Sequence, residues 1–389
     1  MGLSDVLRAM DEIRVQDLSA EQKCEMKTAV TVLGRNLETP WDTTKRIVWQ
    51  EPSVKACIRT LIELEAFQKW MQAGDGMQDS GSLSALFGCD QVSLNRLLRN
   101  LAANGLLISH GREEYTMTEF TRSLAQADQV AAFDYSRHIN SPMFEQFSSY
   151  LVEKNQTSSS AAIKLTAFAQ ALNTNDTLFD YLSKNPELEL AFARCMRGVS
   201  ESMKSWVDIY PTESLLVDDH GGSYDEVVVV DIGGGIGQDI NAFQRKHKLA
   251  MGRLILQDLE KVVEQAKVEP NITVMPHDFF QIQTVKARAF YLHSILHDWK
   301  DDEACDILRC IVPAMQKGKS KILLHELVMY DRTNPTEATW MDMTMFAACG
   351  SEERDLGKWQ DLVKEAGLQI TGHFYSDGTA HSILELELA

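Results

Sequence analysis

The chain has 389 residues, 44% of them hydrophobic and 24% charged, which is enough for two globular domains and a substantial core. A formal net charge of −18 repels a phosphate backbone over most of the surface and argues against nucleic acid as a partner. No apolar run reaches the roughly 18 residues of a membrane helix, and the opening MGLSDVLRAMDEIRVQD lacks the apolar core of a signal peptide. A cytoplasmic protein with no membrane partner is therefore expected. Cys24, Cys57, Cys89, Cys195, Cys305, Cys310 and Cys349 form no Cys-x-x-Cys pair, which predicts reduced thiols and no metal site.

In chain order, the N-terminal half is helical in texture, with helices expected in the stretches Leu3–Leu33 and Lys45–Trp70. Residues 82–87 and 93–105 read as two helices around a Gly-Cys-Asp turn, the second closed by Gly105. Residues 106–108 and 115–117 flank His110-Gly111 as a short hairpin, and the whole looks like a winged helix. Arg96 and Arg99 are its only basic helix residues, so a dimerisation platform fits this acidic chain better than a DNA reader.

Strands alternating with helices begin near Val227. This predicts an α/β fold: a Rossmann-like cofactor domain behind a mostly helical winged-helix domain. The change of texture falls at Asp218–Ser223 or shortly upstream. By domain, residues 1–125 form the N-terminal unit and 126–389 the cofactor-binding unit, with substrate-lining helices within 126–220.

Val227-Val-Val-Val230 reads as a strand buried on both faces. Asp231-Ile-Gly233-Gly-Gly235-Ile-Gly237 follows as a turn on which a ligand can lie close to the backbone, and Gln238 to Lys248 is helical in composition. A dinucleotide fingerprint would need a small residue where Gln238 stands. The spacing instead resembles the cofactor loop of S-adenosylmethionine (SAM) dependent methyltransferases. A second strand, 253–258, ends in Asp258, whose carboxylate suits two ribose hydroxyls. A third, 272–275, leads to Asp278 and Phe279, candidates to bind and cover an adenine or else ordinary strand-end residues.

A fourth strand, 289–294, runs into His297-Asp298-Trp299, with a helix over 301–315. With Lys321-Ile-Leu-Leu-His-Glu326, Glu353-Arg354, Trp359–Gly367 and the upstream Leu37-Glu-Thr-Pro-Trp-Asp42, these motifs resemble, over nearly the whole chain, the caffeic-acid/flavonoid type of SAM-dependent O-methyltransferase, in its fungal secondary-metabolite branch. The resemblance implies His297 as catalytic base, Glu326 and Glu353 as its carboxylate supports, and a homodimer through the N-terminal helices. It implies cofactor contacts from Asp231, Gly233, Gly235, Gly237, Asp258, Asp278, Phe279 and position 293. Two positions depart from the family pattern: His293 replaces a Lys or Arg, and Glu65 replaces a Gly. His277, His293, His325 and His381 have no setting comparable to His297 as a base and read as structural.

The chemistry suits those residue types. A sulfonium methyl is already electrophilic, so the protein must align a hydroxyl and take its proton, for which a carboxylate-oriented His is suited near neutral pH. The small-molecule acceptor is expected to be a hydroxylated aromatic or polyketide-type metabolite in an apolar cleft. Tyr135, His138, Phe144, Phe168, Met196, Met203, Met343, Met345 and Phe346 are candidate lining, with His138, Met343 and Phe346 selected for contact. The alternative is a SAM-binding pericyclase or dehydratase of the same fold that never transfers the methyl; His293 and His138 are compatible with it, and retention of His297 with both glutamates argues against it.

Overall fold

The computed structural model describes residues 12–156, 166–216, 227–250, 253–330, 334–375 and 380–389, together with Ser4 and Arg8. The expected change of texture at Asp218–Ser223 and part of the predicted helix Leu3–Leu33 lie outside the described residues. The chain divides into two compact units, one of residues 1–138 and 185–200, the other of 139–184 and 201–389.

The first unit is mostly helical. Helix Ala20–Leu37 starts at a Ser19/Gln22 capping box. Helices Ser80–Phe87 and Gln91–Ala103 are joined through Gly88, which takes the left-handed conformation at φ 71°, and Asp90, whose carboxylate accepts from Ser93 N at 2.7 Å. Three short strands, β1 (Gln78–Asp79), β2 (Leu107–Ser109) and β3 (Glu114–Met117), form an antiparallel sheet in the order β1-β3-β2. The helix–turn–helix and hairpin expected from the sequence are both present. Leu61, Phe67, Trp70, Leu83, Leu94, Leu98 and Tyr115 fill the core beneath them.

The stretch Lys45–Trp70 is not one helix. Glu51–Glu63 and Ala66–Gln72 are separate, broken at Glu65, which sits at φ 53°, ψ 30°. Glu65 thus occupies the left-handed region, which ordinarily favours Gly.

The second unit is built on a seven-stranded sheet of β4 (Val229–Ile232), β5 (Leu254–Asp258), β6 (Ile272–Pro276), β7 (Ala289–His293), β8 (Lys321–Leu327), β9 (Leu368–Tyr375) and β10 (His381–Leu388). Its order is β6-β5-β4-β7-β8-β10-β9, parallel through β8 and antiparallel in the last two. Side chains alternate between two apolar layers. Val230, Ile255, Phe290, Leu292, Ile322 and Leu324 face one core, and Val229, Leu254, Leu256, Tyr291 and Leu323 the other. Helices Asp301–Ile311 and Leu356–Glu365 cover the first face, and Gln238–His247 with Trp206 the second. The helix predicted over 301–315 stops at Ile311, because Pro313 brings no N–H for another helical turn.

Strand order reverses between β4 and β7, so the loops leaving those strands diverge and open a crevice at their C-terminal ends. Every cofactor and catalytic residue expected from the sequence lies at that edge of the sheet or in a segment that reaches it.

Candidate active site

The glycine turn is held from beneath. Gly233 and Gly234 N–H groups both donate to the Gln257 carbonyl, at 2.8 and 3.2 Å, tying the turn to β5. Gly233, Gly235 and Gly237 all have positive φ. A Cβ on Gly234 would lie 2.5 Å from Asp231 and Leu256, and one on Gly237 would lie 2.3 Å from Val268 Cγ1. At Gly235 a Cβ would meet nothing within 4 Å, so that side of the turn is open. Gly234, not among the expected site residues, is as constrained as its neighbours.

Asp258, at the end of β5, accepts from Gly235 N at 2.9 Å and from Leu259 N at 2.7 Å. Burial pushes its carboxyl above the usual range despite those two bonds. Asp231 is buried beneath the turn. Burial first, then the charges of Asp239 and Asp258, hold it well above the usual range, and its Oδ2 has no hydrogen-bond partner among the described residues. A nucleoside-type cation fits this set: an open glycine cradle, a strand-end carboxylate and an unsatisfied buried acid.

On the neighbouring loop, Asp278 Oδ1 accepts from Phe280 N at 3.0 Å. Phe279 packs against Phe280 and edge-on to Trp299, and lies near Gly233. The structure therefore brings Asp231, the glycines, Asp258 and Phe279 to one end of the sheet. His293, closing β7, gives its Nδ1 to Asp239 Oδ2 at 2.7 Å and stacks on His325, with ring centroids 4.0 Å apart. Asp239 was not anticipated as its partner.

After β7 the chain turns through Ile295–Asp298. Glu326 Oε1, fully buried on β8, accepts from Ile295 N at 3.1 Å and from Leu296 N at 2.8 Å, so it shapes the turn that carries His297 rather than touching the imidazole. His297 is buried. Its Nδ1 lies 2.8 Å from Glu353 Oε1, and its Nε2 lies 3.7 Å from Asp298 Oδ1. Arg354, also buried, donates to the Leu296 and Trp299 carbonyls at 2.9 and 2.7 Å and pairs with Asp301, locking the far side of the turn. Asp342 Oδ1 accepts from Glu353 N at 2.9 Å.

These carboxylates dominate the electrostatics. Burial lowers the His297 imidazole, but the charges of Asp298, Glu353 and Glu326 outweigh it and hold the group up at about 10. Burial lifts the Asp298 carboxyl to about 6 although the imidazole opposes this. Asp298 is a residue that the sequence reading passed over. Its place beside a candidate catalytic His was the only available signal.

Met343 and Phe346 share helix Thr336–Ala348; Met343 is exposed, and Phe346 meets the Phe147 ring edge-on at 5.4 Å. Phe346 and Asp342 line a cavity of about 400 Å³ with Lys300, Gly350, Ser351 and Arg354. His138 lies in the first unit, exposed in the turn Ser136–Asn140. Phe168, fully buried against Tyr181, is core.

Comparison with known proteins agrees with this arrangement. A family model described as "O-methyltransferase domain" matches residues 153–369, more than half of the chain. Demethylsterigmatocystin 6-O-methyltransferase of Aspergillus parasiticus is 31% identical, over 88% of this chain and 87% of that protein. Among solved structures, one described as a pericyclic reaction enzyme is 27% identical with TM-score 0.90, covering 99% of each chain. OxaC in complex with SAH and oxaline is 26% identical with TM-score 0.82, covering 100% of this chain and 98% of that one. The chain belongs to the O-methyltransferase domain family, whose members use S-adenosylmethionine.

Proposed function

We propose that this protein transfers the methyl of S-adenosylmethionine to a hydroxyl of an aromatic or polyketide-type metabolite, with His297 as general base. The observation that carries the reading is the buried His297–Glu353 pair at 2.8 Å, on the turn whose Ile295 packs beside Gly233. Gly233, Gly235, Gly237, Asp231, Asp258, Asp278 and Phe279 hold the cofactor. Bound there, S-adenosylmethionine supplies an electrophilic methyl and a positive charge that lowers the imidazole's proton affinity.

Glu353 accepts the Nδ1 proton, fixing the tautomer that leaves Nε2 to the acceptor hydroxyl. His297 takes the hydroxyl proton as the new C–O bond forms, and Glu353 with Asp298 stabilises the resulting imidazolium. Glu326 acts on geometry, since both of its hydrogen bonds go to the backbone beside His297. Aligning oxygen and methyl contributes about 7–11 kcal/mol in favourable cases, and the Glu326 and Arg354 braces serve that alignment.

Met343 and Phe346 are assigned to the acceptor surface; His138, exposed in the first unit, is assigned to substrate contact from the sequence alone. The winged-helix unit is assigned to a homodimer, which the exposed Val30, Leu33, Leu37, Trp41 and Trp49 in the N-terminal helices support. A cytoplasmic location accords with helices none of which is long and apolar enough to cross a membrane, among the described residues.

One observation favours a second reading. The carboxylates that hold His297 up at about 10 favour its imidazolium form, and an imidazolium retained beside the bound cofactor is a donor suited to negative charge developing on a substrate oxygen, as a pericyclase or dehydratase requires. Supplying SAM with hydroxylated aromatic and polyketide acceptors and measuring S-adenosylhomocysteine by mass spectrometry separates the two. Its formation with a methylated product supports transfer; SAM-requiring turnover without it supports the second reading and overturns the first.

A further inference from the structure

Three histidines of the second unit meet at the C-terminal edge of the sheet: His293 closing β7, His325 in β8 and His381 opening β10. His293 and His325 are register partners on adjacent parallel strands. One nitrogen from each of the three rings lies within 4.8 Å of the other two. His325 and His381 are buried, and His293 is partly exposed.

Hydrogen bonds hold two of the three rings from outside the cluster. Asp239 accepts from His293 Nδ1 at 2.7 Å. The Tyr291 hydroxyl lies within hydrogen-bond distance of His325 Nδ1, at 2.8 Å. Asp239 thus keeps hydrogen on His293 Nδ1 and leaves its Nε2 as a lone pair. His325 Nε2 is buried without a hydrogen-bond partner among the described residues, an arrangement that ordinarily costs about 1–3 kcal/mol.

We propose that His293, His325 and His381 bind a divalent transition-metal ion of the zinc, cobalt and nickel class. Neutral imidazoles select that class, and a carboxylate on the outer nitrogen of a ligating His is the usual means of orienting it. Here Asp239 orients His293 in this way, and Tyr291 lies against the outer nitrogen of His325. Ligands at the usual 2.0–2.1 Å from a tetrahedral ion stand about 3.3 Å apart, so the cluster must contract. His293 is the ring that turns, because it alone is partly exposed and its 15° stack on His325 must open to bring both lone pairs to one point. The fourth position is left to solvent. Asp239 lies in the first turn of the helix after the glycine loop, so occupancy also stiffens that helix against β7.

The test uses tag-free, chelator-stripped protein titrated with Co²⁺. One ion per chain is expected, with visible ligand-field bands and no thiolate charge-transfer band, and with a rise in melting temperature. His293→Gln should abolish that binding. Asp239→Asn, which removes no ligand, should weaken it about 10–100-fold; both variants are checked for native circular dichroism. Folded parent protein that binds no stoichiometric Co²⁺, or binding unchanged in both folded variants, overturns the proposal.

Discussion

His297 stands between two carboxylates, with Glu353 Oε1 at 2.8 Å from Nδ1 and Asp298 Oδ1 at 3.7 Å from Nε2. After burial, which acts downward, Asp298 is the strongest influence on this imidazole and acts upward. Asp298→Asn removes that charge, so the His297 titration should fall from about 10 in the cofactor-free protein, as followed by imidazole NMR. A base must be deprotonated to act, so the acid limb of kcat/KM moves to lower pH in the same variant. An unshifted titration would remove Asp298 from the electrostatics of the site.

Glu353→Gln keeps the size of the side chain but loses the charge that fixes the tautomer. A loss in kcat of roughly 10²–10⁴ is expected, with SAM affinity by calorimetry near that of the parent. A matching loss of SAM affinity would reassign Glu353 to cofactor binding.

The glycine turn separates two kinds of constraint. Gly234→Ala forces a methyl to within 2.5 Å of Asp231 and Leu256, so it should lower stability by about 1–3 kcal/mol. Gly235→Ala meets no neighbour and bears only the left-handed backbone at φ 59°, about 1–2 kcal/mol. Its methyl points into open space and should weaken SAM binding more than it weakens the fold. Asp258→Ala should weaken SAM binding too, and it frees the Gly235 N–H. Paired melting and calorimetry on the three variants check this ordering.

Glu65→Gly is expected to raise stability, by about 0.5–1 kcal/mol. It relieves a left-handed Glu, and only the exposed Glu65–Lys69 pair at 3.4 Å is lost. Chemical denaturation reads it directly, and a decrease would show that Glu65 makes a contact worth more than its backbone strain.

Much of this was legible in the sequence because it is local. The Val227–Val230 run and the glycines that follow declare a buried strand and a tight turn within a dozen residues. Resemblance in motif order linked His297 to Glu353, 56 positions away. What was hidden depends on the sheet. His293, His325 and His381 come from three strands, one of them antiparallel, and no spacing reveals that they converge. Glu326 was expected at the imidazole and instead braces its backbone, a distinction set by where β8 ends relative to β7. Glu65 stood out as a departure from the family's Gly, but its left-handed backbone, at φ 53°, appears only in the structure.

The most direct test of the central claim is a single turnover of His297→Ala with an acceptor that the parent methylates. The account predicts that S-adenosylhomocysteine formation falls by about 10²-fold or more, while SAM binds as tightly as to the parent or more so, since a like charge has been removed. Methyl transfer at the parent rate would contradict it.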